Sequence, residues 1–230
     1  MSADTDSMEL VQLEGIEIDH DALARSRRLM ARLVAVAGLL GVLAVVLVVL
    51  PLAGVTYPYS RALVPSLDGP ANALLEAFGV TPVLVAVAGL TVVSLIRKLP
   101  YGIGAVIALV LGASLTTAAV RSWADGWVPA SALPNGYVTA CASLVCAATL
   151  VASARFLPMV WGLGAVAVAT VSAAAVIGGS ATVVGIVTTV AIVTAWWAGS
   201  SAVMLYSPVA AEREAQNPFD TAALALRRLR

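Results

Sequence analysis

Histidine is almost missing from this chain. His20 is the one histidine in 230 residues, and it lies in an acidic N-terminal tail. Beyond that tail, imidazole is excluded as nucleophile, general acid or metal ligand. Charge is also scarce: charged residues make up 11% of the chain, against about 25% in a soluble domain. That excludes an ordinary water-soluble fold. Cysteine is limited to Cys141 and Cys146, in one apolar run. Five positions apart on a helix, they point about 140° from each other. A mutual disulfide is excluded, and both read as small buried apolar side chains. A cleavable leader is not expected either. Residues 1–21 hold seven acids, where a signal peptide carries a short basic region.

What remains is apolar. Hydrophobic residues make up 60% of the chain, mostly Ala, Val and Leu in long runs. About 20 such residues cross a hydrocarbon core as a helix. Six stretches meet that test, approximately 33–52, 79–97, 101–120, 135–154, 158–179 and 182–206. They are too long for barrel strands and do not alternate as such strands do. A helix also satisfies its own backbone in lipid. The expected fold is all-α, a polytopic membrane protein built as a six-transmembrane helix bundle.

Basic residues set the expected orientation. Eleven of the thirteen fall on one side: Arg25, Arg27, Arg28, Arg32, Arg97, Lys98, Arg155, Arg213, Arg227, Arg228 and Arg230. Only Arg61 and Arg121 fall on the other. Both termini are therefore expected in the cytoplasm, with the protein in the plasma (inner) membrane. The organisation expected is a cytoplasmic acidic tail and basic flank at 1–32, a membrane domain at 33–206 and a cytoplasmic tail at 207–230.

Smaller features fill in this frame. The tail stretch Leu10 to Ile18 alternates; it can add to a partner as a strand, or remain solvated. In the first outer loop, Ala71, Leu74, Leu75 and Phe78 recur at helical spacing after Asp68. The spacing predicts an interfacial helix over about 68–79, with Asp68 as N-cap. It would either roof a site between the spans or anchor the loop. Gly104, Gly112, Ala113, Ser114, Thr116 and Thr117 let helices approach closely. The C-terminal Leu224, Leu226 and Leu229 mix with arginines, a basic flank able to touch anionic lipid.

The loop between the third and fourth stretches carries the most specific pattern. It reads Arg121-Ser122-Trp123-Ala124-Asp125-Gly126-Trp127-Val128-Pro129, then Pro134-Asn135-Gly136-Tyr137-Val138-Thr139-Ala140. This resembles the type 2 phosphatidic acid phosphatase and vanadium haloperoxidase superfamily, in its membrane lipid phosphatase branch. The family motifs are Lys-x6-Arg-Pro, Pro-Ser-Gly-His and Ser-Arg-x5-His-x3-Asp. Arg121 falls at the Lys, Val128 at the Arg and Pro129 at the Pro of the first motif. Pro134 and Gly136 match the second, with Asn135 at its Ser and Tyr137 at its His. Ser172 keeps the Ser of the third, while Ala173, Gly179 and Val183 stand at its Arg, His and Asp.

The resemblance implies a phospho-histidine mechanism in which an Asp orients the nucleophile, a second His protonates the leaving oxygen, and Lys and two Arg hold the phosphate. This chain lacks the nucleophile, its Asp, the acid and both Arg positions. Phosphoryl transfer rests on positioning and charge stabilisation, and nucleophilic catalysis needs an activated group. The degenerate motifs therefore imply a catalytically inactive lipid-phosphatase-like scaffold. Such a scaffold would bind a membrane lipid, for instance a polyprenyl phosphate, or serve a membrane-protein partner as accessory subunit of an envelope-building complex. The ligand-binding candidates are Arg121, Tyr137, Asp125, Pro134, Asn135 and Gly136. No cofactor, metal or nucleic-acid partner is expected. Two alternatives stand: a lipid phosphatase with an altered site, and a small transporter or channel subunit. Against the transporter, no Asp, Glu, Lys or His lies in any of the six stretches, and the one arginine, Arg97, ends the second.

Overall fold

The computed structural model describes residues 23, 26–57, 67–96, 100–153 and 155–205. The alternating stretch in the acidic tail, Arg61 and the basic C-terminal end lie outside the described residues. Among those described, the regular structure is helical throughout. In chain order the helices are α1 (Ser26–Leu52), α2 (Asp68–Glu76), α3 (Val80–Ile96), α4 (Pro100–Trp123), α5 (Gly136–Val151), α6 (Leu157–Ile177) and α7 (Val183–Leu205).

The protein is a helical, multi-pass membrane protein. Among the described residues, five runs are long and apolar enough to cross a bilayer: Ser26–Leu52, Gly69–Ile96, Gly102–Trp123, Leu157–Ile177 and Val183–Met204. In the second of these a turn at 77–79 separates α2 from α3. The remaining apolar helix, α5, has 16 residues, about 24 Å at 1.5 Å per residue. That is shorter than the stretch 135–154 expected for the fourth span, because Asn135 caps the helix at one end and Ala152 turns extended at the other.

α4 and α7 form the centre, with 39% and 44% of their apolar windows buried, against 6% for α1. α5 packs against α4, α6 and α7. Small residues and polar pairs hold these helices together, as expected where lipid removes most of the hydrophobic drive. Gly112 of α4 lies under the Trp196 ring of α7; a methyl there would come within 2.5 Å of it. The Trp196 Nε1–H then donates to Thr116 Oγ1 at 3.0 Å. On the next face, Trp197 Nε1–H donates to Thr149 Oγ1 at 3.0 Å and meets the Trp161 ring edge-on at 5.9 Å.

α1 carries a π-helical segment, Val45–Val49, where the Leu50 N–H reaches back to the Val45 carbonyl. In that register the next donor would be residue 51, which is a proline and has no N–H. The buried Tyr57 hydroxyl donates to the Val46 carbonyl instead. Burial raises the Tyr57 phenol above its usual value, so it donates as a neutral hydroxyl. This bond draws the chain after α1 onto a core shared with Ala124, Val128, Ala132 and Leu133. Nearer the other end of α1, Arg32 donates to the Ser201 carbonyl of α7.

α2 begins at Asp68 with Leu67 in the N-cap position, not Asp68 as its sequence pattern predicts. Its buried Ala71 and Leu75 pack into a cluster with Val138 of α5, Val171, Ala174 and Ala175 of α6, and Ala181. α2 thus lies across the end of the bundle where α5 starts and α6 stops.

Candidate functional site

That end of the bundle gathers the motif segments. Arg121 occupies the last turn of α4, where the helix dipole favours a cation. It is half-buried, and its Nη1 donates to the Pro134 carbonyl at 2.9 Å. The arginine of the first motif is therefore tied directly to the second. Pro134 and Asn135 are buried, while Gly136 and Tyr137 are exposed at the start of α5. Asp125 is exposed on the turn after α4. Among the described residues, no hydrogen bond or ion pair joins Asp125 to Arg121.

Asn135 is the hub. Its Oδ1 accepts from the N–H groups of Tyr137 and Val138, at 3.0 and 3.3 Å. That satisfies two of the donors every helix start leaves open. Its Nδ2 donates to the carbonyl and hydroxyl of Ser180, both at 3.4 Å. Its backbone N–H donates to Thr189 Oγ1 at 2.8 Å, and Thr189 donates in turn to the Gly185 carbonyl at 2.6 Å. Its carbonyl accepts from Thr139 Oγ1 at 2.8 Å. Thr139 and Thr117 of α4 share a further bond at 3.0 Å. One buried network therefore links α4, α5, α7 and the α6–α7 turn. At the position where the resembled family has Ser, this residue's polar groups are committed to holding the scaffold.

The third-motif positions lie close by. Ser172 is half-buried within α6, and Val183 is exposed at the first turn of α7. Gly179 sits in the turn between them at φ +70°, a left-handed conformation that favours glycine. The residue that reaches the second motif is its neighbour, Ser180. The turn is clamped from the other side as well. Thr182 donates through both N–H and hydroxyl to the Ser131 carbonyl, at 2.8 and 3.1 Å. α2 covers the turn: a methyl on Gly178 would sit 3.7 Å from Ala71 Cβ and 3.8 Å from Asn72 Oδ1.

Trp123 and Trp127 follow Arg121 in the chain, exposed, with rings edge-on at 4.7 Å. Trp127 Nε1–H donates to the Trp123 carbonyl at 3.2 Å. This is the arrangement of aromatic residues at a membrane–water boundary. Sequence reasoning missed Ser131, Ser180, Thr182 and Thr189 as members of the site. Nothing in their local pattern marks them, since each acts through a partner far away in the chain. Among the described residues no group of three His, Cys, Asp or Glu side chains is placed to hold a metal ion.

Comparison with protein-family models, with curated proteins and with solved structures gives no match for this chain.

Proposed function

We propose that this chain is a non-catalytic relative of the membrane lipid phosphatases, a six-span protein of the plasma membrane with both termini in the cytoplasm. Its work is to hold the anionic head group of a membrane lipid at Arg121. The observation that carries the reading is the Arg121–Pro134 bond together with the Asn135–Ser180 bonds. They bring the three degenerate motif segments to one end of the bundle, under α2. Arg121 has five N–H donors, and one of them is used on Pro134. The side chains at the family's catalytic positions offer no nucleophile: Tyr137 is a weak acid, Gly179 has no side chain, and that of Val183 is apolar. A polyprenyl phosphate meets the chemistry, with its phosphate on the guanidinium and its chain in the bilayer. A larger envelope-building complex would then use the chain as its lipid-holding subunit.

The test compares lipid retained by purified wild-type protein, Arg121→Ala and Arg121→Lys, using added polyprenyl phosphate and mass spectrometry. A charge-assisted hydrogen bond contributes about 1.5–3 kcal/mol, so Arg121→Ala is expected to retain about tenfold less. Arg121→Lys keeps most of the binding. None of the three releases phosphate from phosphatidic acid or polyprenyl diphosphate. Equal retention in wild type and Arg121→Ala refutes the lipid reading, and phosphate release refutes the non-catalytic one.

A further inference from the structure

A cavity in the described fold lies nowhere near Arg121. It is a groove of about 490 Å³ at the opposite end of the bundle, lined by Val93 of α3, Ala148, Val151 and Ser153 at the end of α5, and Phe156 and Val160 at the start of α6. Its size falls within the usual range for small-molecule sites, about 300–1,000 Å³. The groove exists because α5 is short. The N-terminus of α5 is pinned by Asn135 to the Arg121 end. Its 16 residues reach about 24 Å, while the hydrocarbon core is about 30 Å thick. The shortfall therefore appears entirely at the far end, after Val151. Around it, Leu95, Ile96, Phe156 and Met159 are exposed apolar side chains of the kind that face lipid tails.

A cation stands beside one of the lining residues. Arg155 is exposed, and its guanidinium carbon lies 5.9 Å from the centre of the Phe156 ring that lines the groove. Ser153 adds a hydroxyl beside it. An apolar slot at membrane depth with a guanidinium beside its lining is matched by one kind of molecule. We propose that this groove binds an anionic phospholipid, one acyl chain lying along α3, α5 and α6 and the phosphate on Arg155. Basic positions between helices at a membrane surface select anionic head groups in this way. The slot gives the chain a partner where α5 leaves none. This site is independent of the Arg121 reading and lies at the other end of the molecule.

The test is native mass spectrometry of the full chain in detergent, with dioleoyl phosphatidylglycerol and dioleoyl phosphatidylcholine as probes. Wild type is expected to retain one phosphatidylglycerol about tenfold better than phosphatidylcholine. Arg155→Gln, on an exposed position, removes that preference. Ala148→Phe fills the slot and lowers retention of both lipids. Arg121→Ala leaves phosphatidylglycerol retention unchanged, which separates this site from the other. The proposal is overturned if wild type does not prefer phosphatidylglycerol. It is equally overturned if Arg155→Gln or Ala148→Phe retains phosphatidylglycerol as wild type does, or if Arg121→Ala abolishes the retention.

Discussion

The backbone N–H of Asn135 donates to Thr189 Oγ1 at 2.8 Å, across 54 residues of sequence. This bond joins the start of α5 to the first turns of α7. It leaves the Asn135 side chain to cap its own helix and to reach Ser180. In the resembled family a Ser holds this place beside a catalytic His. Here an Asn holds it and serves the fold.

Replacing Asn135 by Ala removes the cap and the Ser180 bonds but not the bond to Thr189. Loss of an N-cap costs about 0.5–2 kcal/mol. Asn135→Ser restores a side-chain oxygen that caps nearly as well. Thermal unfolding in detergent is therefore expected to rank wild type first, Asn135→Ser close behind and Asn135→Ala last. An Ala variant as stable as the Ser variant would mean that the cap contributes nothing.

The Tyr57 hydroxyl answers a different vacancy, the Val46 carbonyl that Pro51 cannot serve. Tyr57→Phe strips that acceptor of its donor at a cost of about 1–3 kcal/mol. The pH dependence has a definite sign. Burial raises the phenol's pKa in the fold, so its contribution is complete below the unfolded value near pH 10. It is lost as pH rises through the higher folded value. The stability difference between wild type and Tyr57→Phe should be flat from pH 6 to 9 and shrink only above about pH 10.

Gly185 faces backbone rather than side chains. An added methyl would lie 2.6 Å from the Ser131 carbonyl oxygen and 2.8 Å from that of Leu133. Neither oxygen can swing away, because Ser131 is already held by Thr182. Gly185→Ala is expected to lower stability by about 1–3 kcal/mol through overpacking, and to loosen the α7 start from the Arg121 end. Gly162→Ala is the control: nothing lies within 4 Å of its new methyl. Equal melting temperatures for the two variants would show that the Ser131 loop is free to move.

Hydropathy made the long helices legible. The apolar runs of α1, α4, α6 and α7 reach about the bilayer thickness, and no soluble alternative competes with them. The close α4–α7 approach was half legible: Gly112 and Thr116 announced tight packing, but not that Trp196 would lie on both. Asn135 carried a readable signal, a good N-cap directly before an apolar run. That signal was masked because the same residue stood in a catalytic-motif position. The N-cap expected at Asp68 fell on Leu67, since an N-cap side chain is only a preference and a proline-flanked turn can start a helix without one. The Arg155 groove had no linear signal. It lies where α5 ends after Val151, a point set by where Asn135 anchors the helix.

Ser94 on α3 is fully buried, and its hydroxyl has no hydrogen-bond partner among the described residues. A buried unpaired hydroxyl is a net liability. Ser94→Ala removes it at nearly constant volume and is expected to raise stability by about 1 kcal/mol. A clear drop in melting temperature would indicate that the hydroxyl finds a partner in the membrane, such as a lipid ester or a bound water.

The number of crossings turns on α5. Its N-terminus is bound to the Arg121 end through Asn135, and its last residues line the groove with the first turn of α6. On the proposed six-span reading, α5 crosses the membrane even at 16 residues. The missing length is taken up by thinning of the bilayer or by a lipid chain in the groove, at a modest cost per Å. On that reading both termini lie on the same side, and the eleven basic residues assigned to it make that side cytoplasmic. A reporter active only outside the membrane, fused after Arg230, should stay silent, and the same reporter inserted after Asp125 should be active. A silent insertion at Asp125 together with an active C-terminal fusion would mean that α5 turns back without crossing and that only the five long helices span the membrane.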